Sequence, residues 1–283
     1  MFVEGLRKMK GITYNIPADL IPEYKDRRVI VRSEDPAEIV RKVSVRDNVQ
    51  FVQLLSADVS LEALDIFAKW DCGVPLDITV RNPETEYPLL YNFAKLAGTR
   101  PIRVSIAVVP GFIKAVKLAL ALHFAVKLEV GQPEQTLVEE LSEVLDLYLH
   151  GSNVSQPVEY FHSVFLLFYR QEETNLWVIQ EEDPELFRFI DDEGVEHLST
   201  RFAGLLPESL DSIQLSGSGA AEDLADHCDS CEFSAACGGF FKWPESGYDC
   251  HGVKSIFATL RSAAAELREN LCVLTATQKG GAR

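Results

Sequence analysis

Four of the chain's six cysteines, Cys228, Cys231, Cys237 and Cys250, fall in the stretch HCDSCEFSAACGGFFKWPESGYDC at 227–250. The first three have the spacing C-x2-C-x5-C, and the fourth follows after a longer gap. A two-residue gap lets two thiolates reach one centre from a single tight loop. Four thiolates can close a tetrahedral zinc or hold a four-iron cluster. Gly238 and Gly239, directly after the third cysteine, allow positive φ and a close backbone approach, which suits amides that must point at bound sulfur. Free cysteine is a common core residue, but four in one polar, glycine-containing loop read as a metal site. His227 and His251 abut these cysteines, where a histidine could donate to cluster sulfur or replace a ligand in a zinc site. Cys72 and Cys272 read as unligated thiols.

The elements that must position this loop begin far upstream. Short β-rich runs alternate with helical patterns: RRVIV (28–32) before DPAEIVRKV, VQFVQLL (49–55) before SLEALDIFAKW, and LDITV (76–80) before YPLLYNFAKLAG. IRVSIAVV (102–109) then precedes GFIKAVKLALALH, and AVKLEV (125–130) precedes EQTLVEELSEVLDLYLHG. Five βα units in a row imply an α/β fold: a parallel sheet with external helices, either open or a partial barrel. After 151 the rhythm changes. NLWVIQ reads as a strand, and LFRFIDDEGVEHLSTRF as two strands joined through Asp192, Glu193 and Gly194. Downstream, GVKSIFATLRSAAAELREN places Val253, Ile256, Phe257, Leu260, Ala264 and Leu267 on one helical face. The expected division is a βα unit over 1–150, a β-rich connector over 151–215 and a cysteine-rich module with a terminal helix over 216–283.

The run CDSCEFSAACGGFFKWPESGYDC followed by HGVKSIFATLRSAAAEL resembles the SPASM extension of radical SAM enzymes that modify peptides. That resemblance implies a single [4Fe-4S] cluster on Cys228, Cys231, Cys237 and Cys250, matching the family's outer cluster. The inner cluster of that family needs further cysteines. Phe241 occupies one of those positions, and no cysteine lies between Cys72 and Cys228. The family's SAM-cleaving C-x3-C-x2-C follows its first barrel strand, whereas RSEDPAEIVRKV after RRVIV contains no cysteine. The resemblance therefore implies a degenerate member that does not cleave S-adenosylmethionine: an accessory to a radical SAM maturase of a precursor peptide, its cluster serving structure, electron relay or substrate docking. Two alternatives stay open. One is a radical SAM enzyme whose SAM-cluster segment lies outside this sequence, and the other is a zinc-stabilised α/β protein.

Charge and hydropathy narrow the partners. A formal net charge of −16 argues against binding the nucleic-acid backbone, which requires lysine and arginine. The most apolar region, around 104–130, is broken by Pro110, Gly111, Lys114 and Lys117, so it reads as strand, turn and helix rather than a membrane span. No basic and apolar leader opens the sequence, so a cytoplasmic protein is expected. At the C-terminal ends of the strands stand Arg32, Ser33, Glu34, Ser56, Asp58, Arg81, Asn82 and Glu129, a set able to line a polar pocket but expected to act as ordinary strand and helix caps. His162 reads as a hydrogen-bonded structural histidine. The acidic runs at 181–183 and 191–193 read as solvated loops.

Overall fold

The computed structural model describes residues 11–44, 48–152, 154–172, 174–202, 228 and 230–280. Its strands are β1 Thr13–Pro17, β2 Arg28–Ser33, β3 Val49–Leu54, β4 Leu76–Val80, β5 Ile102–Ala107, β6 Ala125–Glu129, β7 Val158–Glu159, β8 Phe187–Ile190 and β9 Glu196–His197. They form one sheet in the order β7-β6-β5-β4-β3-β2-β1-β8-β9. Every pairing is parallel except β8 with β9. The α/β expectation holds, and the five expected strands all form. Strand β1 is an addition. Its sequence TYNIP is short and ends in proline, and it is held as a strand from both sides by β2 and β8.

The helices between strands start where their sequences supply caps. In α1, Pro36–Lys42, the Asp35 side chain accepts from the Ala37 N–H and Pro36 takes the first position. In α2, Leu61–Ala68, Ser60 accepts from the Ala63 N–H. After β4 comes the short α3, Pro83–Glu86, continued as a 3-10 helix over Tyr87–Leu96. Helices α4, Phe112–Ala121, and α5, Gln135–His150, follow β5 and β6. Gly111 at the start of α4 has φ 90°, and a Cβ there would lie 3.0 Å from that of Glu84. Only glycine meets both conditions.

Strand periodicity sorts the two faces of the sheet. Leu76, Ile78 and Val80 of β4, with Ile102, Val104 and Ile106 of β5, belong to the main apolar core alongside Leu64, Phe67, Phe93 and Val116 from the helical layer. The alternate positions are polar: Asp77 and Thr79, Arg103 and Ser105, Lys127 and Glu129. Register aligns Arg32 with Gln53, Gln53 with Asp77 and Asp77 with Arg103. A polar row thus runs across the second face. One cleft touches residues of β1, β2, β3, β4 and β6.

The segment expected to be a β-rich connector holds more helix than strand among its described residues. It contains α6, Phe161–Arg170, and α7, Leu176–Ile179, along with β7, β8 and β9. NLWVIQ is therefore α7 rather than a strand: Asn175 caps it by accepting from the Val178 N–H, and Leu176 and Trp177 are buried. The paired strands of LFRFIDDEGVEHLSTRF do form, with Asp191 accepting from Glu193 and Val195 N–H groups and Gly194 at φ 82°. Residues 203–227, which bridge the expected connector and cysteine module, lie outside the described residues. After them come α8, Ser234–Cys237, and α9, His251–Gly280. On α9, Val253, Ile256, Phe257, Leu260 and Ala264 are buried as expected, whereas Leu267 is 40% exposed.

Candidate metal centre and the adjoining cleft

Helix α8 ends in two consecutive left-handed glycines, Gly238 at φ 60° and Gly239 at φ 75°. They turn the chain back so that the Phe241 and Phe240 backbone N–H groups point at the Cys237 sulfur. Cys228 and Cys231 are joined by a backbone turn in which the Cys231 N–H donates to the Cys228 carbonyl at 3.0 Å. Cys250 stands just before α9, and its carbonyl receives the Lys254 N–H at 2.9 Å. Cys228, Cys231, Cys237 and Cys250 all line one small cavity of about 40 Å³, walled by Phe233, Phe241, Val253 and Phe257. Burial pushes the Cys237 thiol up to about 11, opposed by the two N–H groups, and Cys250 and Cys228 press it further upward. Burial also raises the Cys250 thiol, while Lys242 and Lys254 work to lower it.

No disulfide is formed among these cysteines. Among the described residues, no group of three or more His, Cys, Asp or Glu side chains is gathered so as to hold a single metal ion. The thiols stand around a volume. Their donor chemistry fits a sulfur-ligated centre, as do the amides directed at Cys237. His251 is exposed, with its N–H given to Asp249 at 2.9 Å. His227 falls outside the described residues. Cys72 is buried and Cys272 exposed, both away from the cavity. His162 bonds the Tyr148 hydroxyl at 2.9 Å, the structural role expected of it.

Several bonds fasten this centre to the sheet. The Trp177 indole N–H of α7 donates to the Gly238 carbonyl at 2.7 Å. Gln132 donates to the carbonyls of Phe241 and Glu245, and the Tyr248 hydroxyl to that of Pro133. Arg201 donates to Trp243, whose indole N–H returns a bond to the Arg201 carbonyl.

The cleft on the polar face has a volume of about 630 Å³ and is lined by Arg32, Arg81, Glu129, Gln53, Thr79 and Arg201, among others. Lys127 and Glu181 also line it, and they belong to a buried ionic network. Arg103 reaches Asp77 at 3.0 Å and Glu181 at 2.7 Å, and Lys127 reaches Glu181 at 2.8 Å. Ser105 adds a bond to Asp77. Burial would raise the Glu181 carboxyl, but Arg103 and Lys127 overcome it and hold the group at about 2. Burial pushes the Glu129 carboxyl up, with Lys127 opposing.

Two sequence expectations change here. The acidic run 181–183 is not a solvated loop: Glu181 is 6% exposed, Asp183 is buried and Glu182 pairs with Arg201 at 2.6 Å. The strand-end set divides. Arg32, Arg81 and Glu129 line the cleft. Ser33 and Ser56 cap turns by accepting from the Asp35 and Asp58 N–H groups, while Glu34, Asp58 and Asn82 are exposed. The sequence reading missed Asp77, Arg103, Lys127 and Glu181. A signal was present, because LDITV and IRVSIA alternate apolar with polar side chains at period two, which marks a strand with one polar face.

No family model matches the chain, no curated protein matches it, and no solved structure matches it. Among the described residues, no helix is long and apolar enough to cross a membrane.

Proposed function

We propose that the chain is an iron–sulfur protein related to radical SAM/SPASM peptide-modifying enzymes, binding one [4Fe-4S] cluster through Cys228, Cys231, Cys237 and Cys250. The observation that carries this is the shared cavity: four thiols stand around one volume, with two backbone amides directed at the Cys237 sulfur. A volume between the sulfurs suits a cluster, in which each thiolate meets a different iron, better than a zinc that draws all four to about 2.3 Å of one point. When bound, such a cluster supplies a structural clamp and a one-electron relay. The chain's own residues hold it against the sheet through Trp177, Gln132 and Arg201.

The reading extends to an accessory role beside a radical SAM maturase, in the cytoplasm, with a precursor peptide docking at the cleft. Reductive cleavage of S-adenosylmethionine needs an iron with an open position, and four thiolates leave none. The segments after the first two parallel strands, Ala18–Glu23 and Pro36–Lys42, contain no cysteine. Anaerobic purification followed by iron, sulfide and zinc analysis is expected to give about four irons and four sulfides per chain. Stoichiometric zinc without sulfide overturns the assignment. A second reading, chemistry within the cleft, is favoured by Glu129, whose carboxyl burial shifts toward the neutral pH range beside Lys127. Release of 5′-deoxyadenosine from S-adenosylmethionine by the dithionite-reduced chain alone would favour an enzyme. Turnover that appears or changes only when a radical SAM partner is added supports the accessory role.

A further inference from the structure

Tyr160 is fully buried, at 0% exposed, and its hydroxyl has no hydrogen-bond partner among the described residues. A buried hydroxyl without a partner is destabilising, a cost that a phenylalanine at the same place would not incur. The ring sits among aromatics, 4.8 Å from Phe161 and 6.5 Å from Phe257 between centroids. Phe257 is itself a wall of the cysteine cavity. The hydroxyl is near enough to Cys237 and Tyr248 for their charges to act on it. The Tyr248 hydroxyl donates to the Pro133 carbonyl, and the Tyr148 hydroxyl is hydrogen-bonded to the His162 ring. Of these three tyrosines, Tyr160 alone has an unspent O–H, and its ring packs against Phe257, which walls the same cavity as Cys237.

We propose that Tyr160 is a positioning residue of the metal centre, donating its hydroxyl hydrogen to the Cys237 sulfur when that sulfur is a metal-bound thiolate. The inference rests on reading the four cysteines as a metal site. A protonated thiol is a weak acceptor, so the bond has little reason to form before metal binding. Metal binding releases the thiol proton to solvent and leaves an anionic sulfur, to which a hydrogen bond is charge-assisted. Together with the Phe240 and Phe241 amides, it gives Cys237 donors from both backbone and side chain. Such donors stabilise the more negative, reduced state of a cluster and raise its reduction potential.

Metal and sulfide analysis of the wild-type chain comes first and tests the cluster assignment by itself. With a cluster present, an EPR-monitored redox titration is expected to show Tyr160→Phe harder to reduce by up to about tenfold in the equilibrium constant, 59 mV for one electron. Replacing Tyr160 by 3-fluorotyrosine, a stronger donor of similar shape, should shift the potential the opposite way, which a packing role would not produce. It also serves where the phenylalanine variant fails to fold. In the metal-free chain, Tyr160→Phe should melt no lower than wild type, because the unpaired hydroxyl is gone. If analysis finds zinc instead, the cluster reading fails, and Tyr160 is tested by the sulfur-to-cobalt charge-transfer band of the cobalt-substituted protein, expected to move to lower energy in Tyr160→Phe. Unchanged potentials in both variants, or an unchanged cobalt band, overturn the proposal.

Discussion

Glu181 is held in a left-handed backbone conformation, φ 63°, uncommon for a residue with a side chain. There its carboxylate pairs with the buried Lys127 and shares Arg103 with Asp77, so without it Lys127 loses its salt-bridge partner. Replacing Glu181 with Gln should cost about 3–5 kcal/mol in urea unfolding at neutral pH, since breaking a buried pair leaves an uncompensated charge. The same residue sets an acid limit. A carboxyl held at about 2 when folded and at ~4.3 when unfolded contributes stability that is full above the unfolded value. That contribution is lost as pH falls through the window from 4.3 to 2, on the order of 3 kcal/mol. Glu129 and Asp183, raised by burial, work in the opposite direction as they protonate. In Glu181→Gln the acid sensitivity in this window should therefore be reduced. An acid unfolding profile identical to wild type would show that the network contributes nothing.

At the scale of elements, the joint between α8 and α7 is set by Gly238. Its φ of 60° and a Cβ that would come within 3.1 Å of the Trp177 ring make Gly238→Ala strained on two counts. A loss of about 1–3 kcal/mol is expected in thermal unfolding. Gly239→Ala has equally positive φ but open space around it, so it should cost less. Helix α9 docks through its first turns. Gly252 lies so close to α5 that a Cβ would be 2.7 Å from a Val138 methyl. Phe257→Ala should cost about 3–5 kcal/mol, while Leu267→Ala, on the exposed part of the helix, should change the melting temperature little.

For the whole molecule, the cysteine centre is tied to the rest of the chain by Trp177, Gln132 and Arg201, so metal loading should be felt beyond the cysteine loop. Replacing Cys231 with Ala is expected to abolish stoichiometric metal and lower the melting temperature of the entire chain, since metal-binding free energy in a loop-rich segment is folding free energy. An unchanged melting transition would show that the loop folds without its metal.

The sequence by itself determined what is local and periodic. Five parallel strands, the helices between them, the β8–β9 turn and the buried face of α9 follow from apolar spacing, caps and turn residues. The cysteine spacing likewise pointed to one centre, because ligands within one loop need few long-range contacts to converge. Tertiary structure decided the rest. TYNIP became a central strand only because neighbours on both sides complete its hydrogen bonds. LWVI became helical through its Asn175 cap and burial of Trp177. The acidic run at 181–183 lost its solvent because cations from β5 and β6, far away in sequence, meet it at the cleft. A charge reads as solvated until a partner distant in the chain is brought to it: the β5–β6 pairing sets Arg103 and Lys127 on neighbouring strands, and the segment after α7 carries Glu181 to both.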